Sequence, residues 1–204
     1  MDREKETDMT VHRLRDFVVA VTRAAGTVAP GAALMAAARP LLADLVAHDD
    51  WLPEAASAPD PDRYRQYLLH CDPAERFSLV SFVWGPGQKT PIHDHLVWGL
   101  IGMLRGAEVS IPYARSAGGR LVQDGEPDVL RPGEIGAVSP WDGDIHQVAN
   151  LLEDQPSISI HLYGGNIGAV RRHTFAPDGT EKSFISGYSC ETVPNLWDRS
   201  REFA

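Results

Sequence analysis

The sequence predicts a mainly β protein, a barrel or two-sheet sandwich preceded by α-helices. Three observations carry that prediction. From Tyr64 onward, short runs with strand-like alternation follow one another at close spacing, separated by Gly, Pro and Asp. Ahead of them, from Val11 to Leu45, apolar residues recur at helical spacing instead. The chain has 204 residues, 43% of them hydrophobic, which suits one core better than several. A single domain over residues 1–204 is therefore expected, with a helical region at about 11–48 packed on the barrel.

The elements follow in order. Met1 to Asp8 is charged and polar, has no apolar signal core, and reads as a disordered start. Val11, Leu14, Phe17, Val18 and Val21 predict a helix to Ala25 that Gly26 breaks. Pro30 opens a second helix through Leu34, Met35, Ala38, Leu41, Leu42 and Leu45, and Pro40 is expected to divide it. Trp51 to Asp62, rich in Pro, Ala and Asp, reads as a connecting loop. Strands are expected at 64–70, 77–84, 91–95, 98–104, 108–113, 120–123, 135–139, 146–151, 157–163 and 171–175.

Bulk properties exclude some functions. The formal net charge is −9 and no basic stripe is visible, so nucleic acid is not an expected partner. No apolar run is long enough to span a bilayer. Two cysteines, Cys71 and Cys190, make no disulfide framework, and a reducing cytoplasm is the expected compartment.

The chemistry concentrates in a few residues. His93 and His95 in P-I-H-D-H (91–95) are two apart, so in a strand they share a face and Asp94 points outward. With His146 from G-D-I-H-Q-V-A-N (143–150), they supply three neutral nitrogen ligands for one metal and leave other coordination positions open. Glu134 and Asp144 sit outside these positions and are not expected to ligate. Ser159, His161 and Tyr163 alternate in S-I-H-L-Y (159–163), which puts a hydroxyl, an imidazole and a phenol on one face. Trp98 and Trp141 flank the histidine segments as pocket walls or core aromatics.

The spacing resembles the cupin superfamily, a β-barrel (jelly roll) fold. Gly87 is followed by five residues, His93-Asp94-His95, three residues, Gly99, six residues and Gly106. Pro140 to Gly143, His146 and Asn150 match the second motif, with one extra residue between Pro and Gly. Gly99 stands where an ordinary cupin carries a glutamate ligand, a departure that resembles the cupin thiol dioxygenases of the cysteine dioxygenase type. That resemblance implies Fe(2+) at His93, His95 and His146, and a relay of Ser159, His161 and Tyr163 with the phenol over the metal. Small thiols and O2 would be the partners. It also places Gln66 where cysteine dioxygenases carry a carboxylate-binding arginine, while Arg65 alternates to the opposite face. Gln-type members, typified by 3-mercaptopropionate dioxygenase, are the nearer match, with Arg172 in preference to Arg171 as the cation for the substrate carboxylate. The mammalian cysteine–tyrosine crosslink is not expected, because its cysteine place is Gly99. The implied activity is addition of both oxygen atoms to the sulfur of a small carboxylated thiol. The alternatives are cysteine as the thiol, a metal-dependent cupin isomerase whose base would be Glu108 or Asp144, and a ligand-binding cupin without catalysis.

Overall fold

A computed structural model of the protein describes residues 3–197, the side chains of residues 3–10 excepted. Two helices, α1 (Arg3–Thr27) and α2 (Ala32–Val46), precede twelve strands. These are β1 (Arg65–Cys71), β2 (Ser78–Trp84), β3 (Ile92–His93), β4 (Gly99–Arg105), β5 (Glu108–Arg115) and β6 (Leu121–Gln123). They continue as β7 (Asp128–Leu130), β8 (Ile135–Val138), β9 (His146–Asn150), β10 (Ser157–Tyr163), β11 (Arg172–Phe175) and β12 (Glu181–Phe184).

The strands form two sheets. One has the order β1-β2-β10-β4-β8. The other has the order β12-β11-β3-β9-β5-β6, with β7 also paired to β5. Every named pairing is antiparallel. The central strands β2 and β10 are buried along their whole length, because both of their faces are covered. Leu79, Val83, Leu100, Leu104, Ile158, Ile160 and Leu162 form one face, which packs with Leu14, Phe17, Val21, Leu34, Leu42 and Leu45 of the helices in the main core. The opposite face turns toward the second sheet, where Val80, Phe82, Trp84 and Tyr163 meet Val148 of β9. A cavity lies in this inter-sheet space. At Gly102 an added Cβ would sit 2.8 Å from Val46 Cγ1 and 3.2 Å from Leu42 Cγ, so the glycine is what lets α2 lie close on β4.

Several helical expectations need correction. α1 begins at Arg3 and runs through Gly26 to Thr27. Its first turns are polar helix formers, which hydrophobic periodicity does not register, and Gly26 costs too little near a helix end to stop it. Met1 and Asp2, the rest of the expected disordered start, lie outside the described residues. α2 is one helix with Pro40 inside it. The ring removes one intrahelical hydrogen bond, but burial of Leu34, Ala38, Leu42, Leu45 and Val46 on both sides of it holds the helix together. The connecting loop carries one 3-10 turn, Glu54–Ala56. The indole of Trp51, 1% exposed, donates to the Leu45 carbonyl at 2.9 Å and ties that loop to the end of α2.

The strand expectations largely hold to within a residue or two, except at β7 and β12, which were not foreseen, and β3, which is shorter than expected. β12 is E-K-S-F, with three exposed residues. It exists because β11 offers it a ladder, from Arg172 opposite Phe184 to Phe175 opposite Glu181, and edge strands of this kind carry little apolar pattern. β3 ends at His93, because the chain turns away beyond it into a left-handed residue, Leu96 with φ 59°.

The two motif residues Gly106 and Asn150 serve the barrel rather than the chemistry. Gly106 turns the chain from β4 into β5 at φ 76°, and a Cβ there would collide with Ser157 Oγ. Asn150 Nδ2 donates to the carbonyls of Gly85 and Gln155, both at 3.0 Å, while its Oδ1 accepts from Ser157 Oγ at 2.7 Å and Leu152 N at 2.9 Å. One buried amide thus satisfies the backbone at the end of the barrel away from the histidines.

Candidate metal centre

His93 on β3 lies directly opposite His146 on β9 in the antiparallel register, so strand pairing alone sets two imidazoles side by side. His95 lies past the end of β3, and its alignment with His93 does not come from strand alternation. Asp144 sets it instead. One Asp144 carboxylate oxygen accepts from the His95 ring Nδ1 at 2.9 Å, and the other accepts from the backbone N–H of His95 at 3.0 Å and of Leu96 at 2.8 Å. The carboxylate holds the left-handed turn at Leu96 and the ring in one grip. Ring centroids of the three histidines lie 4.8, 4.8 and 4.9 Å apart, with one ligand nitrogen from each within 4.8 Å of the others.

The other ring nitrogen of each histidine is committed. His93 Nδ1 lies 3.0 Å from the Pro91 carbonyl, and His146 Nδ1 lies 2.8 Å from Ser110 Oγ. With the proton on Nδ1, each Nε2 is left unprotonated with its lone pair available, the tautomer that metal ligation needs. Burial drives the His93 and His146 pKa values well below the ordinary imidazole range, and the neighbouring histidines push the same way. Both rings are neutral with their lone pairs available. Three imidazole nitrogens suit a divalent transition metal of borderline softness and leave coordination positions for exogenous ligands. No carboxylate lines the cavity. Asp144 therefore braces His95 from behind without lining the cavity itself, and Glu134 is exposed and bonded to the Arg131 backbone N–H.

Ser159, His161 and Tyr163 form a continuous hydrogen-bonded line on the inner face of β10. Ser159 Oγ lies 2.8 Å from His161 Nε2, and His161 Nδ1 lies 2.8 Å from the Tyr163 hydroxyl. Trp84 Nε1–H donates to Ser159 Oγ at 3.1 Å. Burial keeps His161 neutral and raises the Tyr163 phenol above its usual range, so the hydroxyl stays protonated. The Tyr163 ring stacks on His95 at 5.7 Å between centroids, which puts the phenol at the edge of the histidine cluster.

The three clustered histidines, His161 and Tyr163 line one cavity of ≈ 190 Å³ with Tyr64, Gln66, Phe82, Trp84 and Arg172, and Ser159 lies behind it. The volume fits a ligand of a few heavy atoms rather than a cofactor. Arg172 is 3% exposed. Its Nη2 donates to Ser186 Oγ at 2.8 Å, its guanidinium stands 4.9 Å over the Phe184 ring, and its Nε has no hydrogen-bond partner. No carboxylate among the described residues pairs with it. A buried, unneutralised guanidinium is costly unless an anion arrives to match it. Arg171 is exposed. Gln66 Oε1 is likewise buried without a partner, whereas Arg65, outside the cavity lining, is ion-paired to Asp60 at 2.5 Å.

The sequence reading missed several supports. Asp94 does not point outward. It is 6% exposed and accepts from the His173 backbone N–H at 2.7 Å and ring Nδ1 at 2.9 Å, because the chain leaves strand geometry immediately after His93. Trp98 belongs to the main core, and Trp141 is 53% exposed, so neither walls the cavity. The Asp144 role was legible as a carboxylate two residues before a histidine. That of Ser110 was not, since it depends on the β5–β9 register, which sets it opposite Val148. Ser189, past β12, accepts from the Gln66 backbone N–H at 2.9 Å and donates its own N–H back to the Gln66 carbonyl at 2.7 Å. With Ser186 it forms a strap behind both Gln66 and Arg172.

Replacement of Asp144 by Ala should lower metal affinity about 10- to 100-fold, read by competition with a chelator; unaltered affinity would remove the brace. At Gly99 an added Cβ would lie 3.0 Å from Tyr163 Cδ1 and Cε1 and 3.1 Å from Val138 Cγ2. Gly99→Ala should therefore cost on the order of 1–3 kcal/mol through overpacking, seen as a lower denaturation midpoint.

Comparison with known proteins places these observations among relatives. A family profile described as cysteine dioxygenase type I matches residues 10–175. Cysteine dioxygenase type 1 of Homo sapiens is 29% identical over 106 residues, covering 50% of this chain and 52% of the relative. The Bos taurus protein is 27% identical over 106 residues, with the same coverage. The chain thus spans about half the length of the curated relatives it matches. A solved protein with a double-stranded β-helix domain from Klebsiella pneumoniae aligns with a TM-score of 0.45 and 17% identity, covering 59% of this chain and 95% of that one. A cupin superfamily protein from Desulfitobacterium hafniense aligns with a TM-score of 0.43 and 15% identity, covering 58% and 94%.

Proposed function

Because the chain belongs to the cysteine dioxygenase type I family, we propose that it is a thiol dioxygenase that adds both atoms of O2 to the sulfur of a small carboxylated thiol. We infer iron(II) as its metal, at His93, His95 and His146, and 3-mercaptopropionate as its preferred thiol. The observation that carries the reading is the pairing, in one small cavity, of a buried three-histidine cluster with a buried arginine that has no carboxylate partner among the described residues. The bound metal would supply affinity for the thiolate and for dioxygen, while the electrons that reduce dioxygen come from the thiol sulfur as it is oxidised to the sulfinate.

The protein's own groups do the rest. Arg172 offers its free Nε–H to the substrate carboxylate in a charge-assisted hydrogen bond. The Gln66 side chain borders the same cavity and adds a neutral contact. Fixing the carboxylate fixes the reach of the sulfur toward the histidine cluster, which restricts the reacting geometry. Phe82, Trp84 and Tyr64 exclude water from the cavity wall. The Tyr163 hydroxyl faces the reacting end and stabilises negative charge as it builds on oxygen. Overall, one thiol and one O2 become one sulfinate, and the thiol proton is released. Among acidic thiols, 3-mercaptopropionate is favoured over cysteine because the cavity provides one cation and no carboxylate to pair an ammonium group.

A panel of 3-mercaptopropionate, cysteine, cysteamine and mercaptosuccinate, assayed by oxygen uptake with iron-loaded protein, tests the proposal. 3-Mercaptopropionate should give the highest kcat/KM, and cysteamine, which lacks a carboxylate, the lowest. Preference for cysteamine would contradict the role of Arg172. Turnover with zinc in place of iron would contradict the redox chemistry.

A further inference from the structure

Gln66 and Arg172, the two side chains assigned to the substrate carboxylate, stand on different sheets. Gln66 is on β1 and Arg172 on β11. β1 ends the order of one sheet, and β12, the neighbour of β11, ends the order of the other. The ladder within either sheet does not set the distance between them. The chain that leaves β12 does.

Residues 185–190 cross from one sheet edge to the other and are fastened along the way. Ser186 Oγ accepts from Arg172 Nη2 at 2.8 Å. The Gly187 N–H donates to the Gly168 carbonyl at 3.0 Å. The Tyr188 hydroxyl donates to Asn166 Oδ1 at 2.6 Å and accepts from the Gly168 N–H at 3.1 Å. A Cβ at Gly168 would collide with the Tyr188 ring, so the glycine is what admits that ring. Ser189 exchanges two hydrogen bonds with the Gln66 backbone, and Cys190 Sγ accepts from the Leu68 N–H at 3.2 Å.

Ser186 is thus a fixed point, and it acts on a side chain that needs one. A long arginine stem loses much rotamer freedom when it is ordered, while the guanidinium at its end is a rigid planar fork. Phe184, opposite Arg172 in the β11–β12 ladder, holds the face of that fork at 4.9 Å. Ser186 holds one corner of its edge. The two holds act in different directions and set both the tilt of the plane and its rotation. The Nε–H is left buried and unspent on a residue that lines the cavity. Thr174, the next residue on the same face of β11, lies opposite His93. Arg172 therefore stands about 6.6 Å along the strand from the level of the histidines.

We propose that Ser186 is a positioning residue that sets the preference of this site for carboxylated thiols: it holds the Arg172 guanidinium with Nε–H open to the substrate carboxylate, at a fixed distance from Gln66 and from the histidine cluster. The inference deepens the thiol dioxygenase reading and rests on it. Ser186 does not line the cavity, so it acts through Arg172. Without its hydroxyl the guanidinium keeps its charge and its place over Phe184 but can turn on its stem. Ordering it then falls to the moment of binding. Only a substrate that uses Arg172 meets that cost, and cysteamine, which has no carboxylate, does not.

The test uses wild type, Ser186→Ala and Ser186→Thr. In iron-loaded protein, Ser186→Ala should raise KM for 3-mercaptopropionate about tenfold, with kcat within a few-fold of wild type and KM for cysteamine unchanged. Ser186→Thr keeps the hydroxyl and should restore KM for 3-mercaptopropionate. A second readout needs no turnover. In zinc-loaded, diamagnetic protein isotope-labelled at arginine, the Arg172 Nε–H resonance is identified by its loss in Arg172→Lys. It should shift on addition of propionate, a carboxylate without a thiol, and Ser186→Ala should need about tenfold more propionate for half the shift. A Ser186→Ala protein that binds propionate like wild type, or that loses 3-mercaptopropionate and cysteamine turnover equally, overturns the inference and leaves the dioxygenase reading standing. Wild-type iron-loaded protein that oxidises no thiol removes that reading and this inference with it.

Discussion

Alanine at His146 should leave the candidate metal centre empty. The imidazole is 6% exposed, faces His93 across the β3–β9 pair, and has its Nδ1 anchored on Ser110. Two of three ligand nitrogens remain in the variant, and no carboxylate in the cavity lining can replace the third. Loss of an outer hydrogen-bond partner alone typically weakens a site by 10- to 100-fold, so loss of a ligand should exceed about a hundredfold. Metal analysis after desalting should find the variant largely free of iron, with no oxygen uptake above background. Because a histidine is removed from the inner face and not from the helix-facing core, the fold should persist, read as an unchanged circular dichroism spectrum. A His146→Ala protein that retains full iron and full turnover would rule out this ligand set.

Phenylalanine at Tyr163 should spare metal and substrate binding and strike the chemical step. The ring, stacked on His95, stays in place; only the hydroxyl is lost. His161 Nδ1 loses its partner, which costs on the order of 1–3 kcal/mol of stability in a buried site. Removal of a hydrogen-bond donor aimed at developing charge commonly costs about 10²- to 10³-fold in kcat. The expected result is a kcat lower by that factor, a KM within a few-fold of wild type, and unaltered iron content. Wild-type kcat would take Tyr163 out of the chemistry.

The fold was legible where burial follows a period. The alternation of Ser159, Ile160, His161, Leu162 and Tyr163 separates a polar inner face from an apolar outer one. The structure shows that division, with Ile160 and Leu162 in the helix-facing core and the other three bonded in line. Helix ends and edge strands were less legible. The polar start of α1 and the E-K-S-F strand β12 are held by backbone pairing and propensity rather than by apolar spacing.

The histidine cluster was legible as a set, but for a partly mistaken reason. His93 and His95 converge because Asp144 captures the turn at Leu96, not because both lie in a strand. Contacts that join distant segments left no local trace. Ser110 behind His146, Ser186 behind Arg172 and Ser189 behind Gln66 are ordinary serines until strand register and the path of the chain after β12 bring them together. Arg172 and Gln66 came from resemblance alone. In the structure both line the cavity, and each carries a buried polar atom without a partner, Arg172 Nε and Gln66 Oε1.

The most direct measurement is the oxygen content of the product formed by iron-loaded protein from 3-mercaptopropionate under isotopically labelled dioxygen in unlabelled water. The account predicts a sulfinate carrying two labelled oxygen atoms, formed one for one with dioxygen consumed. A disulfide as the sole product, or a sulfinate with oxygen drawn from water, would contradict it.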